Sequence, residues 1–267
     1  MINMINKISK NNPVFLKVKE IEKTNKTDNL IFVDDLSVLN LTWNYPIEID
    51  TFLYCDELDY HDDTKKLIDH LINIAKESYT ISLSSFNLLR QKENSAGLIA
   101  IVKANLKQLD DLKNKEYLVV CDRLEIPGNL GTIYRTMDSA ACEGMILVDT
   151  VTKPTNPKLT SSARGCNLLI DTASVSYKEA LNWLLENNYT IYLGEPNLGK
   201  PYQEYNYSGK IAIVVGSERF GINSDWYNHK HEKVFIPMYG SNNSLNVGVA
   251  ASILIYEATS KRKKIMD

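Results

Sequence analysis

Glycines, an asparagine and an arginine lie close together in a stretch that follows an apolar run. The stretch "DRLEIPGNLGTIYRT" at 122–136 contains Gly128, Asn129, Gly131 and Arg135. Glycines permit a tight backbone turn, and amides that open a following helix can face a phosphate or a carboxylate. Arg135 lies one helical turn after Gly131, where its guanidinium can bind a phosphate or pair with a carboxylate. The glycine spacing matches neither the dinucleotide fingerprint nor the nucleotide-binding lysine loop, and a plain tight turn explains it about as well.

Two later stretches combine glycine with polar residues in a similar way. "GSERFGI" at 216–222 holds Glu218 and Arg219, which on the simplest interpretation form a surface ion pair of small energetic value. "IPMYGSNNSLNVGVA" at 236–250 places serines and asparagines directly before an apolar, helix-like run. Ser244 is a candidate helix cap, because its hydroxyl can accept a hydrogen bond from an amide of the first turn. One cap does not explain the whole polar patch.

These polar stretches follow or overlap runs with the character of buried strands. From about residue 115 onward, β-branched runs alternate with helix-period segments, which predicts an α/β fold with a mainly parallel sheet covered on both faces. The predicted strands lie at 117–122, 144–149, 189–194, 211–216 and 233–238, and the predicted helices follow Gly131 and span 176–188 and 245–258. Ligands in such folds collect at the carboxyl ends of strands. The three polar stretches are therefore predicted to converge on one end of the sheet.

A smaller α/β pattern precedes this region. Strands are predicted at 29–33, 51–55, 79–83 and 97–102, with an amphipathic helix at 64–78. The polar and charged segment 103–117 is the predicted linker. The sequence thus predicts two domains, a smaller one over 1–110 and a larger one over 115–267.

Composition limits the classes of function. The 267 residues are 44% apolar with a net charge of −3, so a sizeable core is expected but no overall charge signal for nucleic acid. Local basic patches exist between Lys7 and Lys26 and at 261–264, and a solvated surface would explain them equally well. The four scattered cysteines lack metal-ligand spacing, so no metal site is predicted. The N-terminal stretch has no apolar signal core and no run approaches the roughly 20 residues that cross a bilayer, so a cytoplasmic protein without a membrane partner is expected.

Taken together, the three polar stretches resemble the SpoU (TrmH-like) class of SPOUT RNA methyltransferases, which transfer methyl from S-adenosylmethionine to a ribose 2′-hydroxyl. "NLGTIYRT" at 129–136, "IVVGSERFGI" at 213–222 and "IPMYGSNNSLNVGVAASILIYEA" at 236–258 are similar to the three family motifs, in order. The resemblance covers about 117–260. The segment before the linker resembles, more loosely, the ribosomal-protein-like RNA-binding domain of many members, with "SAGLIAIV" at 95–102 as its best match.

The resemblance implies a fold, an assembly and a set of site residues. Its C-terminal segment would pass through an earlier loop as a trefoil knot, with S-adenosylmethionine held in the knot of a homodimer. The catalytic residues that it implies are Asn129, Arg135, Glu218, Ser244 and Asn246. The cofactor walls that it implies are Leu193, Gly194, Gly216, Ile236, Met238, Ser244 and Leu245, with Asn246 beside them. Arg135 and Arg164 would contact RNA, and no metal is required.

The chemistry of ribose methylation bears on the role of Arg135. A ribose hydroxyl is a poor nucleophile, so methyl transfer needs alignment and an acceptor for the hydroxyl proton. The family resemblance assigns activation to Arg135, yet a guanidinium stays protonated near neutral pH and offers no acceptor. We therefore expect Arg135 to fix the adjacent phosphate and stabilise oxyanion charge, with proton removal left open. Glu218 is either a base or the residue that holds Asn129 or Arg135 in place.

Three residues depart from the family pattern. Ser217 replaces the usual asparagine before Glu218, and Gly248 replaces a usual serine, which should loosen that helix by roughly 1 kcal/mol relative to alanine. In "SSARGCN" at 161–167, Ser161 stands in place of an arginine that some members carry.

The sequence predicts a 2′-O-ribose methyltransferase that acts on ribosomal RNA, with transfer RNA as the alternative substrate. A non-catalytic RNA-binding protein on the same fold is a second alternative, which only Ser217 and Gly248 favour and which the retained Arg135 and Glu218 oppose. An unrelated nucleotide-binding enzyme is disfavoured by the missing phosphate-loop signatures.

Overall fold

The computed structural model describes residues 5–24, 29–91 and 95–266. In chain order its helices are α1 (Pro13–Thr24), α2 (Leu36–Leu39), α3 (Asp62–Ile74), α4 (Leu83–Asn87), α5 (Pro127–Ser139), α6 (Pro157–Ser162), α7 (Tyr177–Glu186) and α8 (Val247–Met266). Its strands are β1 (Leu30–Val33), β2 (Ile49–Cys55), β3 (Glu77–Ile81), β4 (Leu98–Lys103), β5 (Tyr117–Asp122), β6 (Gly144–Val148), β7 (Asp171–Val175), β8 (Thr190–Glu195), β9 (Lys200–Pro201), β10 (Ile211–Gly216) and β11 (Glu232–Phe235).

These elements form two compact units. The first unit contains the described residues up to Ala104 together with Thr155–Leu168. The second unit contains Asn105–Pro154 and the described residues from Leu169 onward. The chain thus changes unit within the predicted linker, and the segment Thr155–Leu168, which the sequence placed in the larger domain, belongs to the first unit.

The first unit is built on a mixed sheet with the strand order β1-β4-β2-β3. Strands β1 and β2 run antiparallel to β4, whereas β2 and β3 are parallel. The predicted helix at 64–78 ends early, at Ile74, because Ala75 adopts an extended backbone with ψ of 145° and β3 follows at once. Helix α1 was not predicted, although Phe15, Val18 and Ile21 lie in the core at helical spacing.

The second unit is built on a parallel sheet with the strand order β7-β6-β5-β10-β8-β11-β9. This is the predicted α/β architecture, and the five predicted strands are present. Strand β7 was missed, because its sequence "DTASV" is mostly polar and lies at one edge of the sheet. Strand β11 ends at Phe235 instead of continuing to residue 238, which leaves Ile236 and Met238 in the loop after it.

Helix α8 extends through the basic run near the C-terminus. The Arg262 guanidinium donates hydrogen bonds to the carbonyl oxygens of Tyr207 and Gly209, at 3.1 and 2.6 Å, and forms an ion pair with Glu116 at 3.2 Å. Arg262 therefore anchors helix α8 to the rest of the second unit, so the basic run is more than a solvated surface. Within the described ranges, no helix is both long enough and apolar enough to cross a bilayer.

Candidate active site

A cavity of about 670 Å³ lies at the carboxyl ends of the central strands of the second unit. Its walls come from the segments that follow β5, β8, β10 and β11 and from the start of α8. The predicted site residues in its lining are Asn129, Gly194, Gly216, Glu218, Ile236, Met238, Ser244, Leu245 and Asn246. The strand exits therefore converge as the sequence predicted, and a volume of several hundred Å³ is typical of a small-molecule site.

Three predicted site residues lie outside this lining. Leu193 is fully buried in the core of the second unit and does not line the cavity. Arg135 lies on the exposed face of α5. Arg164 is exposed and belongs to the first unit.

A chain of hydrogen bonds connects three of the predicted catalytic residues. The Asn129 amide donates from Nδ2 to the Glu218 carboxylate. Asn246 donates from Nδ2 to Asn129 Oδ1 at 3.0 Å. Because an ionised carboxylate only accepts, Glu218 fixes the orientation of the Asn129 amide, and Asn129 Oδ1 then requires the Nδ2 group of Asn246. The first turn of α5, the loop after β10 and the start of α8 are thus held in one defined arrangement in the cavity wall.

The same asparagine caps helix α8. Asn246 Oδ1 accepts hydrogen bonds from the amides of Gly248, at 2.9 Å, and Val249, at 3.3 Å. The predicted cap at Ser244 was therefore wrong: the helix begins at Val247, so Ser244 lies too far before it, and its exposed side chain faces the cavity. The cap uses the Oδ1 atom of Asn246 and the hydrogen-bond chain uses the Nδ2 atom of the same amide group. The start of the helix and the geometry of the site are therefore coupled.

Gly248 has a packing role. A Cβ atom at this position would lie 3.1 Å from Thr132 Cβ and 3.2 Å from Thr132 Cγ2. One turn further along α8, Ser252 Oγ lies 2.7 Å from Thr136 Oγ1 and donates to the Gly248 carbonyl oxygen at 2.7 Å. Helices α5 and α8 approach closely along this line of small residues, which offsets the weak helix propensity of glycine.

Glu218 is carried by a tight loop after β10. The Ser217 amide donates to the Gly221 carbonyl oxygen at 3.1 Å, and the Gly221 amide donates back to Ser217 at 2.9 Å. The buried Ser217 hydroxyl accepts from the Phe220 amide at 3.0 Å, which explains how serine serves in place of the usual asparagine. Gly216 must lack a side chain, because a Cβ there would lie 2.2 Å from the backbone of Gly221 and Ile222.

A buried carboxylate that the sequence analysis missed supports the same loop. Asp122, fully buried at the end of β5, accepts a hydrogen bond from the Asn223 amide at 2.6 Å. Burial raises the pKa of Asp122, and the Asn223 hydrogen bond and nearby Arg123 partly oppose that rise. Its position at the end of a predicted strand, as the first residue of the first polar stretch, is the only sequence signal that could have identified it.

The cavity chemistry fits S-adenosylmethionine. Its walls include apolar side chains such as Val234, Ile236, Met238 and Leu254, which suit an adenosine group. The ionisable residues in its lining are Glu195 and Glu218, and no lysine, arginine or histidine in the described chain lines it. A cavity with carboxylates and without basic side chains suits a cofactor with a positively charged sulfonium. Glu195 was missed by the sequence analysis, although it directly follows the predicted strand at 189–194.

Comparison with known proteins gives a consistent result. The SpoU rRNA Methylase family matches residues 116–256. The 23S rRNA (guanosine(2553)-2'-O)-methyltransferase RlmP of Bacillus subtilis is 28% identical over 180 residues, which are 67% of this chain and 71% of that protein.

Solved structures resemble the whole chain. An AdoMet-bound rRNA methyltransferase from Sinorhizobium meliloti superimposes with a TM-score of 0.84 at 20% identity, covering 98% of this chain and 99% of that one. A structure described as an RNA 2'-O ribose methyltransferase is 25% identical, with a TM-score of 0.75 and coverage of 97% and 100%. The family match spans more than half of the chain and contains the whole lining of the cavity. The chain therefore belongs to the SpoU rRNA methylase family.

Proposed function

We propose that this protein transfers a methyl group from S-adenosylmethionine to a ribose 2′-hydroxyl of RNA, with ribosomal RNA as the substrate. The observation that carries the proposal is the convergence of Asn129, Glu218 and Asn246, one residue from each motif, at a single cavity. The new structural roles of Ser217 and Gly248 remove the only features that favoured a non-catalytic RNA-binding protein.

The residues of the cavity would hold the cofactor and leave its reactive group next to the motif residues. When bound, S-adenosylmethionine supplies an electrophilic methyl group. Ile236, Met238 and Leu245 offer apolar contact, while Gly194 and Gly216 bring backbone close to the cavity. The hydrogen-bond chain holds Asn129 and Asn246 rigidly beside this space, which is the preorganisation that alignment of a weak nucleophile requires.

Glu218 and Arg135 have different roles in this proposal. Glu218 accepts a hydrogen bond from the Asn129 amide, which supports a positioning role for Glu218. Removal of the hydroxyl proton is assigned to no group in this proposal. The Arg135 side chain makes no hydrogen bond or ion pair within the described residues, so it is available for the phosphate next to the target ribose. Developing negative charge on the ribose oxygen would be stabilised by the same guanidinium.

The substrate is tested by mapping 2′-O-methyl groups in RNA from cells with and without the gene. We expect one ribosomal RNA position to lose its mark when the gene is removed. Loss of a mark in transfer RNA alone would replace the proposed substrate with the alternative. The relative from B. subtilis named above is a 23S rRNA enzyme, which supports the first outcome.

We further propose that the first unit binds RNA. Arg164 lies in the segment Thr155–Leu168 at a left-handed backbone position, with φ of 50°, and Gly165 after it packs against Val38 and Leu41. This packing holds the Arg164 side chain at the surface. On the same unit, the half-exposed Trp43 ring stacks on His70 at 4.0 Å, and exposed aromatic rings are common platforms for unpaired bases.

Arg164→Ala should weaken binding of protein-free ribosomal RNA by about fivefold and lower the salt dependence by about one phosphate contact. Filter binding over a range of salt concentrations measures both quantities. Lys158→Ala is the control, because it removes an equal charge from an exposed position of the same segment and should change affinity less than twofold. Equal losses in the two variants would show a non-specific charge effect and would contradict a contact at Arg164.

A homodimer, the trefoil knot and a cytoplasmic location complete the proposal. Helix α8 exposes Val249 and Tyr256 on one face, 45% and 52% accessible, which supports self-association through this helix. The loops after β8, β10 and β11 line one cavity together with the start of α8, which supports a threaded arrangement.

The dimer is tested by light scattering coupled to size-exclusion chromatography. We expect the mass of two chains for the wild-type protein and of one chain for Val249→Asp. The control is Val151→Asp, which places the same charge at a 70% exposed valine outside α8 and should leave the dimer intact. A monomeric wild-type protein would refute this part of the proposal.

A further inference from the structure

We propose that Glu195 is a specificity-determining residue, which makes the cavity prefer the cationic cofactor over the neutral product that methyl transfer leaves behind. This inference rests on the proposed function and adds to it the basis of selection between the two forms of the cofactor. It assigns a role to a residue outside the three family motifs.

Glu195 is placed at the cavity by its strand. It is the last residue of β8, directly after Gly194, and its half-buried side chain lines the cavity. The hydroxyl of Tyr227 donates a hydrogen bond to the Glu195 carboxylate. Tyr227 belongs to the short helical turn Ser224–Asn228 and packs edge-on against His231, with ring centroids 5.6 Å apart. The carboxylate is therefore held in place and does not sample the solvent freely.

The charge around Glu195 is suited to a cation. Burial raises the pKa of Glu195, which means that its charged form lacks full solvation in the absence of a ligand. Lys233 and His231 lower that pKa in part, but neither lines the cavity, and the Lys233 amine lies over the Tyr227 ring at 4.9 Å from its centroid. A positively charged ligand inside the cavity would supply a partner of opposite charge for this incompletely solvated carboxylate.

The proposed reaction removes that positive charge. The S–CH₃ bond breaks and its electron pair stays on sulfur, while an O–CH₃ bond forms and the hydroxyl proton is released. The spent cofactor, S-adenosylhomocysteine, has therefore lost one positive charge relative to the cofactor that entered. A carboxylate fixed in the cavity wall would distinguish the two forms by roughly tenfold in affinity. Such a difference would favour release of the product.

The test compares cofactor and product by calorimetric titration of the 267-residue chain. Glu195→Gln keeps the size of the side chain and removes its charge. We expect S-adenosylmethionine to bind this variant about tenfold more weakly, and S-adenosylhomocysteine to change less than threefold. Glu232→Gln is the matched control, because it removes the same charge from an exposed position on β11 outside the cavity, and we expect neither affinity to change.

A second measurement uses the wild-type protein alone, so it does not depend on folding of a variant. The analogue that carries an amine-bearing carbon in place of the methylsulfonium keeps a positive charge, and it should bind more tightly than S-adenosylhomocysteine. Equal affinities for the analogue and the product would overturn the inference, as would equal losses of cofactor and product in Glu195→Gln. If the wild-type protein bound neither cofactor nor product, the proposed function would fail and this inference with it.

Discussion

Arg135→Ala should reduce the rate of methyl transfer to RNA by at least about a hundredfold, while the fold and the affinity for S-adenosylmethionine stay unchanged. The physical reason is the position of the side chain. Arg135 is exposed on α5, lies outside the cavity lining and makes no hydrogen bond or ion pair within the described residues. Its loss should therefore leave packing intact and remove only contacts that form with the RNA.

Single-turnover rates with labelled cofactor measure this effect, with calorimetry and thermal melting as the readouts for binding and fold. Asp138→Ala serves as the control, since it changes another exposed residue of α5 and should leave the rate unchanged. Turnover of Arg135→Ala close to the wild-type rate would refute the assigned role. A matching loss of cofactor affinity would show instead that Arg135 acts on the cavity.

Gly216→Ala should destabilise the protein by about 3 kcal/mol and abolish measurable cofactor binding. The added Cβ would lie 2.2 Å from Gly221 C and Ile222 N, and backbone at that distance must move. The loop that must move contains Glu218, so the bond that orients Asn129 would be lost with it. Denaturant unfolding measures the stability, and calorimetric titration measures binding.

Gly128→Ala is the matched control for this substitution. A Cβ at Gly128 would meet no atom within 4 Å, and the residue lies in the first turn of α5, so alanine should be neutral or slightly stabilising. If Gly216→Ala unfolded at the same denaturant concentration as the wild-type protein and still bound cofactor, the close backbone approach at Gly216 would not be required for stability or for cofactor binding.

The strands of the second unit were predictable because of their burial. Runs such as "IAIVVG" at 211–216 are buried on both faces of a parallel sheet, so they read as continuous apolar segments. The edge strand β7 has a half-polar sequence and left no such signal. Helix α3 was predicted too long, because the helical spacing of apolar residues continues to Ala75, although the helix ends at Ile74 and β3 begins at Glu77.

The candidate site was only partly predictable, for a different reason. The strand-exit rule and the motifs identified Asn129, Glu218 and Asn246, but their mutual hydrogen bonds depend on loop geometry that spacing along the chain does not encode. The packing of Gly248 on Thr132 likewise depends on tertiary structure, whereas the cap at Asn246 is local and was within reach of the N-cap preference that pointed to Ser244. Glu195 was within reach of the strand-exit rule, because it is the last residue of β8 and directly follows the strand predicted at 189–194.

The central claim is that this cavity and its motif residues methylate a ribose hydroxyl of RNA. The most direct measurement incubates the purified protein with protein-free ribosomal RNA and S-adenosylmethionine that carries a labelled methyl group, digests the RNA to nucleosides and identifies the labelled products by mass spectrometry. We predict label in a 2′-O-methyl nucleoside, formed at least about a hundredfold more slowly when Arg135→Ala replaces the wild-type protein. Label on a base, or no label in ribosomal or transfer RNA from protein that binds the cofactor, would contradict the claim.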